Sequence, residues 1–427
     1  MVVGIIIGSS IFVQPSSVTA QVHSVTWVLL VWVVAGSLTL IGALVIAELS
    51  SAFPRTGGVY VFLRETYGPA VAFLWGWAMF WTMHSGIIAV IAMVFAQYAG
   101  RALDLGARAT TALATAAVLS LSILNYRSVR DASAVQVVLT AIKVLALVAI
   151  IATAMMVPIG AVAAAAPAAT DTDFPGISAF ALALVAGLFA FGGWHMVSYA
   201  ADETIDPTRT IPRSLLLGTI SVTVLYVGVN AAYLSVLTPG AVAASRGVAA
   251  DFANATLGGA GSQIMTVLVV LSTLGALNGV ILAGPRVYLA MANDGVLFSW
   301  AGAVHPRFQT PHRAILLQGI WSSLLVLSGK YRVLFTRVVY TEWIFFGLLA
   351  AALFVLRRRA TYSPAWRVWG YPILPAVFIL STVGIVGNQI AHDPQESALG
   401  LGLVLAGLPV FYIWARHQQP AVRRPDA

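Results

Sequence analysis

Gly4-Ile5-Ile6-Ile7-Gly8-Ser9-Ser10-Ile11-Phe12 opens the chain as an apolar run interrupted by small residues, and Phe191-Gly192-Gly193-Trp194-His195 interrupts a second apolar run in the same manner. In hydrocarbon every unpaired backbone N–H or C=O costs several kcal/mol, so an unwound stretch survives only where protein, a cavity or a ligand satisfies it. Glycine in a membrane span is otherwise a close-packing position for a neighbouring helix. Which reading applies depends on where the two interruptions fall in the chain.

They fall in a membrane protein. Of 427 residues, 59% are hydrophobic and 9% charged, against roughly 25% charged in ordinary soluble domains, and the mean hydropathy is +0.90. Twelve apolar stretches, at 1–15, 25–52, 67–99, 109–126, 132–157, 177–201, 211–237, 263–293, 314–329, 333–356, 371–390 and 399–414, follow one another through short connections. A span needs about 20 apolar residues, fewer where a helix is broken. The expectation is an all-α membrane protein of twelve transmembrane helices with no separate soluble domain. The first stretch has neither a basic flank nor a cleavage site, so it reads as a span behind a trimmed or misassigned start and not as a signal peptide.

With the N-terminus cytoplasmic, the inside connections carry Arg55, Arg64, Arg127, Arg130, Arg209, Arg213, Arg286, Arg307, Arg313, Arg357, Arg358, Arg359, Arg367, Arg416, Arg423 and Arg424. The outside ones carry Arg101, Arg108, Arg246, Lys330, Arg332 and Arg337. That bias places both termini in the cytoplasm and the protein in the inner, plasma, membrane. It also accounts for the net charge of +8 without nucleic acid. There is no cysteine, which excludes disulfides and thiolate chemistry, and nothing in the sequence calls for a cofactor or a metal.

The two interruptions lie in the first and sixth stretches, five spans apart. Broken helices in corresponding positions of two five-span halves point to an inverted-repeat secondary transporter with its site at the breaks. The halves are expected at about 1–157 and 177–356, followed by two additional helices at about 371–414 and a short tail at 415–427. The small residues Gly8, Ser9, Ser10, Gly192 and Gly193 let a ligand approach the freed main chain. N–H groups at a half-helix start suit an anion and carbonyls at a half-helix end suit a cation, so a zwitterion suits both. Lys143 lies eleven residues into the fifth stretch, about 16 Å along the axis at 1.5 Å per residue. That is too deep to snorkel, so its charge needs a partner.

Together with Ala47-Glu48-Leu49, Phe53-Pro54-Arg55-Thr56-Gly57-Gly58-Val59-Tyr60, Gly187-Leu188-Phe189-Ala190, Asp202-Glu203-Thr204-Ile205-Asp206-Pro207, Gly275-Ala276-Leu277-Asn278-Gly279 and Gly407-Leu408-Pro409, these motifs occur in order over nearly the whole chain. The sequence resembles the amino acid/polyamine/organocation superfamily and, within it, the L-type amino acid transporter family. The resemblance implies a LeuT-type arrangement of five plus five inverted repeats with helices 1 and 6 discontinuous. It also implies sodium-independent exchange of L-amino acids, neutral ones among them, by alternating access.

By motif position it implies that the substrate carboxylate meets main-chain N–H groups around Ser9, Ser10 and Ile11. The ammonium is then expected at carbonyls near Ile6, Phe189, Ala190 and Gly192. Phe189 is the aromatic that closes over the substrate or simply a packed ring. Lys143 stands where sodium-coupled relatives bind an ion, its ammonium meeting freed carbonyls such as that of Gly8. Tyr226 links substrate and lysine, or is a polar-tipped packing residue. Asn278 takes part in coupling or hydrogen-bonds between helices. Trp343 lines the distal pocket or packs.

The chain departs from the family at His195, where many relatives carry asparagine, and at Ser10, where a second glycine is common. Both departures bear on selectivity. Glu342 and His84 are further polar residues within apolar stretches, and no role is assigned to them. The family's animal members join a heavy chain through a cysteine after the third span. With none here, a prokaryotic member working without a disulfide-linked heavy chain is expected, its partners being the amino acid substrate and the lipid bilayer. A proton-coupled amino acid or polyamine symporter is the alternative, titrating at Lys143, His195 or Glu342. A membrane-embedded enzyme or a channel fits less well, because the intramembrane polar residues are scattered over four stretches without ligand spacing or a continuous lining.

Overall fold

A computed structural model describes residues 1–156 and 173–418, with the side chains of all of these except 331–339 and 415–418. Val157, the tail from 419 onward with Arg423 and Arg424, and the side chains of Arg332, Arg337 and Arg416 lie outside the described residues.

Among the described residues every regular element is helical. In chain order the α-helices are α1 (Val2–Ile6), α2 (Ser10–Val22), α3 (Val25–Ala52), α4 (Val59–Tyr67), α5 (Pro69–Ala78), α6 (His84–Ala102), α7 (Ala107–Arg127), α8 (Val129–Met156) and α9 (Ile177–Ala190). They continue with α10 (Pro207–Val236), α11 (Pro239–Ala244), α12 (Val248–Ala283), α13 (Pro285–Asn293), α14 (His312–Ser328), α15 (Tyr331–Leu356), α16 (Ile373–His392), α17 (Pro394–Leu405) and α18 (Gly407–Gln418). Nine stretches of the described residues are long and apolar enough to cross a membrane: α3, α5 with α6, α7, α8, α9 with the 3-10 stretch Trp194–Glu203, α10, α12 with α13, α16, and α17 with α18. The three remaining expected spans are helical too. The first is divided between α1 and α2, α14 has 17 residues, and α15 runs over 26, with its side chains described from Tyr340 on.

Local chemistry explains where boundaries differ from expectation. The eighth stretch, expected at 263–293, begins at Val248 with a kink at Gly258, whose φ of 72° glycine adopts without penalty. It stops at Ala283, because Pro285 has no N–H for the ladder, and the chain re-enters a helix as α13 with that proline in its first turn. In the third stretch a π turn, Met79–Met83, joins α5 to α6, and Ser85 Oγ donates to the Phe80 carbonyl at 2.7 Å.

Small residues set how closely the helices approach. α1 packs against α8, α10, α12 and the 3-10 stretch. A Cβ on Gly279 would lie 2.7 Å from Ile5 Cγ1, and one on Gly275 would lie 2.9 Å from Lys143 Cε. The glycines of α12 therefore make the room into which both α1 and the lysine fit.

One ion pair ties the bundle at depth. Glu48 on α3 is fully buried and receives Arg357 Nε at 2.8 Å and Arg357 Nη2 at 2.5 Å in a bidentate pair. Its carboxylate also accepts from the Val368 N–H at 2.7 Å and from the Tyr362 hydroxyl at 3.3 Å. Removing the cation strands a buried carboxylate, whereas removing the carboxylate leaves an arginine that is 18% exposed and able to turn outward. Arg357→Ala is therefore expected to lower stability by about 3–5 kcal/mol, and Glu48→Gln by less. Thermal unfolding of the detergent-solubilised protein checks this; an Arg357→Ala variant as stable as the parent refutes it.

Candidate functional site

The main chain is interrupted where the two small-residue motifs lie. α1 stops at Ile6 and α2 begins at Ser10, leaving Ile7, Gly8 and Ser9 in neither helix. No side chain caps α2, so the first N–H groups, those of Ser10 and Ile11 among them, have no acceptor within the helix. In the other element, α9 closes with Phe191 N donating to the Leu188 carbonyl and Gly192 N to the Phe189 carbonyl, both at 3.1 Å. Gly193 then turns the chain at φ 90°, a conformation that suits glycine, and a 3-10 stretch carries on from Trp194.

Between the interruptions lies a cavity of about 120 Å³, far above the roughly 10–15 Å³ that one water requires. Ile6, Gly8, Ser9, Ser10, Phe189, Ala190, Gly192 and Trp343 all line it, so the two motifs distant in sequence meet around one space. α6 contributes Ile87, Val90 and Ile91, and α16 contributes Ile385 and Gln389. A second cavity of about 590 Å³, walled by Trp77, Trp81, Trp300, Trp321 and Trp414, has no charged lining residue and nothing to hold a zwitterion.

Ile11, Lys143, Tyr226, Asn278 and His195 are not at the cavity wall. Lys143, fully buried, donates to the carbonyls of Gly4 and Ile7, each at 2.7 Å. The Gly8 carbonyl, expected to take the ammonium, instead receives Ser272 Oγ at 3.4 Å. Gly4 lies in the last turn of α1 and Ile7 is the residue that ends it, so their carbonyls are left without helical donors and meet the lysine, while Gly8 lies one residue further along. Tyr226 on α10 places its hydroxyl 2.9 Å from the Ile6 carbonyl and 3.2 Å from the Ala190 carbonyl, one from each interrupted helix. Asn278 belongs to a network between helices. It receives Asn125 Nδ2 at 3.0 Å and donates to the Ala132 carbonyl at 3.0 Å and to Gln136 Oε1 at 3.1 Å, joining α7, α8 and α12.

His195 lies behind the wall, 1% exposed, among the rings of Trp75, Trp194, Tyr199 and Phe346. Its Nε2 is 3.6 Å from Glu342 Oε1. Glu342, Tyr340, Gln389 and Ser272 were missed as site residues. For Glu342 a signal exists, an acidic residue in an apolar stretch beside Trp343; for the others nothing distinguishes them from packing residues. His84, the other polar residue without a role, holds Nε2 3.0 Å from the Val280 carbonyl and so joins α6 to α12.

A buried acceptor left without its donor costs about 1–3 kcal/mol. Lys143→Ala orphans two carbonyls and is expected to destabilise the protein more than Tyr226→Phe, whose carbonyls each lose part of one shared hydroxyl. Unfolding of the two variants in detergent measures this, and equal losses or none would refute the bracing role.

A family model of amino acid permeases matches residues 1–399. The chain is 32% identical over 423 residues to the human large neutral amino acids transporter small subunit 2, covering 97% of this chain and 78% of that protein. It is 31% identical to the mouse Asc-type amino acid transporter 1, with 97% and 79% covered. It is 30% identical over 428 residues to the human b(0,+)-type amino acid transporter 1, with 98% and 86% covered. With a permease match over most of its length and relatives of this kind aligned almost end to end, the chain belongs to the amino acid permease family, among the L-type amino acid transporters.

Proposed function

We propose that this multi-pass membrane protein exchanges neutral L-amino acids across the plasma membrane without sodium, by alternating access, in a twelve-span LeuT-type arrangement with both termini cytoplasmic. The observation that carries the reading is the cavity between two interrupted helices, with uncapped N–H groups at the start of α2 and carbonyls at the ends of α1 and α9. The substrate carboxylate sits at the N–H groups of Ser10 and Ile11. Its ammonium sits at carbonyls of Ile6, Phe189, Ala190 and Gly192; the first three keep an acceptor lone pair beside the bonds they take from Tyr226 and the Gly192 N–H. No bond is broken in the cycle.

The lysine supports sodium independence. Carbonyls freed at a helix end attract a cation, and here those of Gly4 and Ile7 already hold a covalently attached one, Lys143. Because the lysine grips α1 from α8 and Tyr226 grips both α1 and α9 from α10, any rocking of the interrupted helices strains these bonds. An amino acid bridging the breaks compensates for that strain in both directions, which suits exchange.

The far end of the 3-10 stretch carries the gate. Asp202 Oδ2 accepts from the Thr56 N–H at 3.1 Å, and the Gly57 N–H donates to the Tyr199 carbonyl at 3.0 Å. Glu203 pairs with Arg286 at 2.5 Å, and Asp294 takes both Arg64 and the Tyr60 hydroxyl. With the termini cytoplasmic, this latch closes the inner mouth. The large-subunit partner implied by the name "small subunit" of one relative has no cysteine here to bond with.

Reconstituted vesicles test the proposal. Labelled L-leucine is expected to enter vesicles preloaded with unlabelled amino acid, at a rate indifferent to imposed sodium or proton gradients, and not to accumulate in empty ones. Equal uptake into empty and preloaded vesicles would sink exchange, and uptake driven by a proton gradient would establish the symporter.

A further inference from the structure

Holding an amino acid by its own carboxylate and ammonium leaves its side chain unread. In the cavity that task falls to whatever polar side chains face it. Glu342 is the one charged side chain among the described lining residues, on a wall that also carries Tyr340, Trp343, Phe346, Ile385 and Gln389. Its side chain is 14% exposed. Its carboxylate lies 3.6 Å from His195 Nε2, beyond hydrogen-bonding distance, and near enough to Tyr199 to act on it electrostatically. Both ring nitrogens of His195 are themselves buried without a partner.

A carboxyl group among apolar neighbours with no hydrogen bond is costly unless something else supplies the donor. The main-chain sites cannot, since they are spoken for by the substrate's two charged ends. Nor can the substrate carboxylate approach Glu342, because like charges repel. Tyr340 already donates its hydroxyl to the Ser397 carbonyl, so beside the Gln389 amide what remains is the end of the substrate's side chain.

Resting on the transport reading above, we propose that Glu342 reads the substrate side chain: its carboxylate accepts a hydrogen bond from a donor there, so the protein favours L-amino acids bearing a side-chain amide, hydroxyl or ammonium over their apolar isosteres. His195 stands behind the carboxylate, its Nε2 3.6 Å from Oε1. Trp343 and Phe346 exclude water from the contact, which raises its worth.

The full chain in preloaded vesicles tests this with isosteric pairs, L-asparagine against L-leucine and L-threonine against L-valine, with L-lysine against L-norleucine to separate cationic from neutral donors. The wild type is expected to take asparagine and threonine over their partners by about fivefold, the worth of one net hydrogen bond. Lysine is expected to beat norleucine; norleucine beating lysine overturns the ammonium part of the inference.

Glu342→Leu is expected to bring the asparagine and threonine ratios to within about threefold of one. Glu342→Gln, which keeps the shape and one acceptor but not the charge, is expected to cut them by about threefold or more; it decides the matter should the leucine variant fail to fold. Wild-type ratios near one, or ratios unchanged in Glu342→Gln, overturn the inference. Flat ratios with working exchange defeat this inference alone, whereas no uptake of any amino acid by the wild type defeats the transport reading.

Discussion

A backbone that leaves its helix inside hydrocarbon must be given partners, and in this protein the partner that matters most is the Lys143 ammonium on the carbonyls of Gly4 and Ile7. The two requirements answer each other. A buried cation with no carboxylate nearby needs acceptors, and the end of α1 has orphan acceptors in need of a donor. Much of the surrounding sequence serves that contact: Gly275 on α12 has no side chain because the lysine stem occupies the space, and Gly279 has none because α1 does. Ser272 and Tyr226 then collect the next freed carbonyls, those of Gly8, Ile6 and Ala190.

This bracing explains how a cavity can exist at all. Packed helices would normally close over an interruption. Here α8 and α10 hold the broken element by its main chain, so the N–H groups at the start of α2 need no protein partner to keep their place. Tyr226 bonding to carbonyls of both interrupted helices means that neither can shift without the other registering it. The Glu48 and Arg357 pair does the comparable work for α3 and α15, at a distance from the cavity, and gives the moving parts a fixed frame.

The interruptions, the helical class and the depth of Lys143 were legible because each is a property of consecutive residues: small residues in an apolar run, a charge too far from either end. Partner choice was not. Which carbonyl the lysine meets depends on the rotation and height of α1 relative to α8, and the expected Gly8 was wrong by one turn's direction. Glu48 and Arg357 stand 309 positions apart, and both read from sequence as loop-side charges. Glu342 was visible as an anomaly in an apolar stretch, but α15 has apolar residues all round, so no periodicity says which face it occupies. The shorter segments are expected as spans at 1–15 and 314–329 although α14 is near the lower length for a span and α1 and α2 are each too short alone, because a broken helix needs fewer consecutive apolar residues.

The division of labour in the cavity follows from what a main chain can and cannot do. Backbone N–H and C=O groups can recognise only the part every amino acid shares, and they cannot be changed by substitution, so on the proposed reading the breaks select an amino acid and nothing narrower. Discrimination among amino acids has to be carried by side chains on elements that face the breaks without being part of their bracing. Ser10 is a poor place for it, because it starts α2, where on the proposed reading its main chain serves the carboxylate. α15 is a better one: it reaches the cavity through Glu342, Trp343 and Phe346, and none of the three is bonded to a freed carbonyl. A change there alters what the cavity accepts while leaving Lys143, Tyr226 and the interrupted helices as they are.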